Sequence, residues 1–95
     1  MKIISVIVCF HPDCENVAQL IDSLALSGVS SIVVDNSDSV NLFSATHSFE
    51  YIFNGENLGI AEAQNRGIQL AFAGDAGAVI FFDQDSRINN RFIGT

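Results

Sequence analysis

Four short apolar runs dominate the chain: Ile3-Ile4-Ser5-Val6-Ile7-Val8-Cys9-Phe10, Ser31-Ile32-Val33-Val34, Glu50-Tyr51-Ile52-Phe53 and Ala78-Val79-Ile80-Phe81-Phe82. The first is nearly continuous and rich in β-branched residues, the pattern of a strand covered on both faces. Helical spacing separates the runs. Val17, Leu20, Ile21 and Leu24 recur at that spacing between Asp13 and Ser27, with Asp13 placed as an N-cap and Gly28 as the residue after the C-cap. A second helix is predicted over 58–73, with Ile60, Ala63, Gly67, Leu70 and Ala71 as its inner stripe. Gly67 inside it costs roughly 1 kcal/mol relative to Ala, which suggests a close approach of this helix to the sheet.

Strands alternating with helices imply right-handed crossovers and a mainly parallel sheet. The expected fold is α/β, a three-layer, Rossmann-like arrangement of about four strands with helices on both faces. Glu50 to Phe53 reads as an edge strand, preceded by a loop, and Arg87 to Thr95 has no clear period. With 95 residues, the chain reads as one small domain that buries perhaps ~65% of its unfolded surface.

Ligands of such sheets bind beyond the carboxyl ends of the strands. Those ends carry His11-Pro12-Asp13, Asp35-Asn36, Asn54 and Asp83-Gln84-Asp85, so the expected binding rim is acidic. The whole chain is acidic too, with 4 Lys and Arg against 11 Asp and Glu and a net charge of −7. That balance excludes nucleic-acid backbones and anionic membrane surfaces as partners, which need clustered basic residues. The apolar run after Lys2 is too short for a membrane span and lacks the small residues of a cleavage site. Cys9 and Cys14 form neither a CxxC pair nor a disulfide framework, so they read as reduced thiols of a cytoplasmic protein.

Asp83 and Asp85 lie two apart, and in extended backbone they would point to the same side. Two such carboxylates repel unless a cation sits between them, and an oxygen-rich site suits Mg²⁺ or Mn²⁺. A divalent ion on few carboxylates keeps positions open for phosphate oxygens, so an acidic protein can hold a diphosphate. Asp35 reads equally as a turn cap or as an acceptor for a ribose hydroxyl or a base N–H. His11 and His47 belong to no triad-like set. Neither GxGxxG nor GxxxxGK[ST] is present, which argues against dinucleotide and P-loop sites.

The segments VIVCFHPD, SIVVDNSD, ENLGIAEAQNRGIQLA and VIFFDQDS, in this order and spacing, resemble the N-terminal part of family 2 glycosyltransferases of GT-A fold. VIVCFHPD and DQDS are most similar to the rhamnosyltransferase branch, which builds bacterial surface polysaccharide such as O-antigen. The resemblance implies an inverting, metal-dependent enzyme whose donor is a nucleotide-diphosphate sugar, dTDP-rhamnose in that branch. It implies a saccharide or lipid-linked saccharide as acceptor and a place in the cytoplasm, at the inner face of the plasma membrane. Residue by residue, it assigns His11 and Pro12 to the nucleotide base and Asp35 to base recognition. Asn57, Gly59, Asn65 and Arg66 would line the nucleotide pocket. Asp83 and Asp85 match the D-x-D motif, Asp83 toward ribose and both toward the metal. Family members continue past D-x-D with acceptor-binding strands and a catalytic base, so residues 1–95 are expected to be the donor-binding part alone, with the base beyond Thr95.

Two other classes fit the acidic rim. A receiver-like signalling domain needs an acidic pair after the first strand and a phosphorylatable Asp after the third, where this chain has Phe10-His11 and Asn54. A non-catalytic interaction module would form a homodimer through the sheet edge or Phe92.

Overall fold

The computed structural model describes residues 1–85. Phe92 and the segment from Arg87 to Thr95 lie outside the described residues. The elements run β1 (Ile3–Cys9), α1 (Cys14–Leu26), β2 (Ser30–Asp35), β3 (Glu50–Phe53), α2 (Ile60–Ala73) and β4 (Ala78–Asp83). The sheet has the order β3-β2-β1-β4, and every pair in it is parallel. The expected α/β architecture, with one helix on each face, is therefore the observed one.

The pleat sorts the side chains. From β1, Ile7 and Cys9 join Val33 of β2 and Val17, Leu20, Ile21 and Leu24 of α1. Ile4 and Val6 join Ile32, Val34 and the α2 residues Ala63 and Ala71 on the other face. β1 and β2 are thus covered on both sides, as their uninterrupted apolar runs require. The segment between β2 and β3 has no regular structure, yet it packs Phe43, Ala45 and Phe49 against the α1-side core.

Both ends of α1 follow the sequence signals. Asp13 accepts the N–H groups of Glu15 and Asn16 at 3.1 and 3.2 Å. Beyond the C-terminus, Val29 N donates to Leu24 O and Gly28 N to Ala25 O, each at 3.0 Å, with Gly28 at φ +79°. This is a Schellman motif.

The α2 expectation needs two corrections. The helix begins at Ile60 rather than at residue 58, because Gly59 stands at φ +83° and ψ 164°, outside helical space. Its inner stripe is Ala63, Gly67 and Ala71 alone; Ile60 is 68% exposed and Leu70 is also exposed. Small residues at every fourth position let the helix lie against the sheet. A Cβ on Gly67 would collide with Val6 Cγ1 and come within 3.3 Å of Val34 Cγ2.

β1 ends at Cys9, one residue earlier than expected, and Phe10 turns outward at the rim. β2 is longer than expected at both ends, running from Ser30 through Asp35. β4 occupies an edge of the described sheet, so its apolar run leaves Ile80 and Phe81 exposed.

Candidate functional site at the strand exits

Parallel pairing brings all four strand exits to one end. The exits are joined by side chains rather than left as separate loops. His11, at φ +44°, donates its N–H to Ser37 Oγ at 2.8 Å, which ties β1 to β2. Its Nε2 lies 3.9 Å from the Asp38 carboxylate, and both side chains are largely exposed. Pro12 is partly buried between His11 and the helix cap Asp13.

Asp35 is completely buried. Its Oδ1 accepts Ser37 N at 2.9 Å, and its Oδ2 accepts Asn41 Nδ2 at 2.8 Å and the Tyr51 hydroxyl at 2.6 Å. Burial alone would raise the Asp35 pKa, but the hydrogen bonds from Asn41, Ser37 and Tyr51 outweigh it and hold the carboxyl below its ordinary value. The partners respond in the opposite sense. Burial, reinforced by the bond to Asp35, pushes Tyr51 up to about 12. Burial, with the negative charge of Asp35 next, also raises the Cys9 thiol.

A second network joins β2, β3 and α2. Asn36 is buried, and its Oδ1 accepts Asn54 Nδ2 at 2.7 Å. Its Nδ2 donates to Gly59 O at 3.2 Å and to Asn57 Oδ1 at 3.4 Å, while Asn57 Oδ1 also accepts Gly59 N at 3.0 Å. Arg66 Nη1 donates to Asn54 Oδ1 at 3.3 Å, and its Nε lies 3.6 Å from Glu62. Asn65 and Arg66 are both exposed on the same side of α2.

At the exit of β4 the expected geometry changes. Gln84 and Asp85 form a turn rather than extended backbone, and Asp83 Oδ1 accepts Asp85 N at 3.2 Å. The extended geometry expected for the two carboxylates is therefore absent, and the Asp85 N–H folds back onto the Asp83 carboxylate instead. Both are exposed. Gln84 pins this turn: its Oε1 accepts Phe10 N, and its carbonyl accepts Asn16 Nδ2 at 2.9 Å. Among the described residues, no group of three or more His, Cys, Asp or Glu is placed to hold a metal ion. Two exposed carboxylates in one turn still fit Mg²⁺ or Mn²⁺, which take one or two protein carboxylates and fill the remaining positions with water and phosphate oxygens.

The sequence placed Asn54 at a strand exit but did not single out Tyr51, Asn41 or Ser37 as site residues. Tyr51 pairs with Val33, and the pleat then puts it on the same face as Asp35. Only the strand register carries that information. A cavity of about 370 Å³ lies at the opposite pole, lined by Lys2, Ser30, Ser31, Glu50 and Gly74 among others. It sits at the amino ends of the strands, away from the end where such sheets bind ligands.

The described residues form a parallel α/β sheet with one helix on each face and with Asp83, Gln84 and Asp85 at the exit of its last described strand. The profile described as Glycosyl transferase family 2 matches residues 5–94, and the chain belongs to that family. The receiver-like reading falls with this. Among characterised proteins, the chain is 42% identical to "dTDP-rhamnosyl transferase RfbF" of Shigella flexneri, over 97% of this chain and 32% of that protein. The chain thus spans about a third of the length of the relative it matches. No solved structure gives a significant match. Among the described residues, no helix is long and apolar enough to cross a membrane.

Proposed function

We propose that residues 1–95 form the donor-binding unit of an inverting, metal-dependent glycosyltransferase that uses a nucleotide-diphosphate sugar. The observation that carries this reading is the D-Q-D turn at the exit of β4, pinned by Gln84 to the exit of β1 within a family 2 frame. The likeness to a dTDP-rhamnosyl transferase favours dTDP-rhamnose as donor. It also favours a saccharide or lipid-linked saccharide acceptor in bacterial surface polysaccharide synthesis, at the cytoplasmic face of the membrane.

In this reading His11, Pro12 and the loop behind Asp35 form the base side of the pocket. Asn57, Gly59, Asn65 and Arg66 form the nucleotide side. Asp83 faces the ribose, and Asp83 with Asp85 would hold Mg²⁺ or Mn²⁺. When bound, that ion neutralises charge on the departing diphosphate. Gln84 fixes the turn so that the two carboxylates are in place before donor arrives. A base for the acceptor hydroxyl would lie beyond Thr95.

Calorimetric titration of the chain with dTDP, UDP and GDP, each with and without Mn²⁺, tests the proposal. Metal-dependent binding that is lost in Asp85→Ala supports it. Metal-independent binding, or none with any nucleotide, overturns it.

A further inference from the structure

We infer that Asp35 acts as a positioning residue, which shapes the base side of the pocket by holding the segment from Ser37 to Asn41 and does not itself meet the nucleotide base. The inference rests on the donor-binding reading and changes what Asp35 does within it.

A carboxylate offers about four lone-pair sites. Asp35 gives one to Ser37 N and two to the Asn41 amide and the Tyr51 hydroxyl. The residue has no solvent exposure. A base N–H could reach this buried carboxylate only if the groups bonded around it moved aside, and a buried donor stripped of its acceptor is costly.

Asp35 pairs with Cys9, whose side chain belongs to the α1-side core. Asp83 pairs with Val8, which packs on the α2 side. Side chains alternate across a sheet, so register puts the two acidic residues on opposite faces. They do not converge on one small ligand.

Asn41 Nδ2 also reaches Ser37 Oγ at 3.2 Å, and Asn41 N donates to the Tyr51 hydroxyl at 3.2 Å. Ser37 Oγ in turn accepts the N–H of His11. Asp35 therefore lies at the root of a chain of bonds that ends in the strained backbone of His11, at the rim. Tyr51, from the neighbouring strand, is its partner in this work.

The test compares Asp35→Asn, Tyr51→Phe and Asn41→Ala. Tyr51→Phe removes one hydroxyl and keeps the ring packed against Phe43, so it is the variant least disturbing to folding. Nucleotide affinity should fall by about tenfold in each variant. Any change in preference among dTDP, UDP and GDP should appear in all three. The double variant Asp35→Asn with Tyr51→Phe should be little worse than the poorer single one, as expected for residues acting as a unit. A change in base preference confined to Asp35→Asn would overturn the inference and restore direct contact.

A second readout does not depend on nucleotide binding. Amide hydrogen exchange at His11, Ser37 and Asn41 should accelerate in Tyr51→Phe. Unchanged exchange at all three overturns the inference even if the chain binds no nucleotide, whereas failure to bind with accelerated exchange overturns only the donor-binding reading.

Discussion

Gln84 Oε1 accepts the main-chain N–H of Phe10 at 2.6 Å, so the middle residue of the D-x-D turn is bonded to the exit of β1. Its carbonyl is held from α1 by Asn16. A turn carrying two like charges would otherwise relax away from the sheet, since Asp83 and Asp85 repel. Gln84→Ala removes the bond to Phe10 and leaves the one from Asn16. One such bond is worth about 1 kcal/mol, and Phe10 N lies near solvent, so unfolding stability should change by no more than that. Metal-dependent nucleotide affinity should nonetheless fall about fivefold. Calorimetry beside a thermal melt separates the two effects. Unaltered affinity would mean that the turn keeps its geometry without the bond.

Gly67 answers to Val6. A side chain there gains about 1 kcal/mol of helix propensity but must enter space filled by Val6 Cγ1 and Val34 Cγ2. Overpacking of this kind costs about 1–3 kcal/mol. Gly67→Ala should therefore be net destabilising by up to roughly 2 kcal/mol, shifting Tm down by several degrees. Val6→Ala added to it should recover part of the loss, a coupling that a double-mutant cycle measures. If the two substitutions simply add, α2 does not lie as close to β1 as these contacts require.

Legibility followed the range of the interactions. The strands, the caps of α1 at Asp13 and Gly28, and the meaning of Gly67 were readable because each depends on spacing within one element. The start of α2 differs from the expected one because a conformation at Gly59, not a loss of periodicity, ends the preceding loop. Ile60 and Leu70 carried the right period and still lie exposed, since the close approach set by Ala63, Gly67 and Ala71 narrows the buried stripe. At the rim, the sequence located Asp35, Asp83 and Asp85 but not their partners. Tyr51, the partner of Asp35, comes from the next strand, and no local pattern shows which residues a register will place together.

Asn36 joins three elements through one buried amide. It holds Asn54 at the exit of β3 and Gly59 O and Asn57 at the start of α2, while its own N–H donates to Cys9 O. Asn36→Ala strands several of these groups and should destabilise the fold by about 2–3 kcal/mol. Asn36→Asp is more informative. It keeps an acceptor for Asn54 but sets a carboxylate against Gly59 O and Asn57 Oδ1, so exchange should quicken at Gly59 and through the first turn of α2. Urea melts with an unchanged m-value and exchange mapped along the chain would check both outcomes. If the first turn of α2 stays protected in Asn36→Asp, the Gly59 contact does not hold the helix start.

The far end of the β2–β3 segment is fastened by a different carboxylate. Asp22 of α1 accepts Thr46 N and His47 N at 3.0 Å, and His47 Nδ1 lies 2.9 Å from it. The His47 side chain first, and then the Thr46 N–H, pull the Asp22 carboxyl down to about 2. An unfolded Asp titrates near 4. A group whose folded value lies below its unfolded one adds stability above the unfolded value and loses it as pH falls through the folded one. The clip should therefore be intact above about pH 4 and open progressively toward pH 2. Because the pair lies at the surface, its effect on global stability at neutral pH should be small. Carbon-detected NMR titration should give Asp22 a midpoint near 2 in the wild type and a higher one in His47→Ala, which keeps only the backbone donors, with the amides of Thr46 and residue 47 shifting in step. A wild-type midpoint already near 4 would mean that this end of the segment is not clipped in solution, and that the bonds at Asp35 hold it alone.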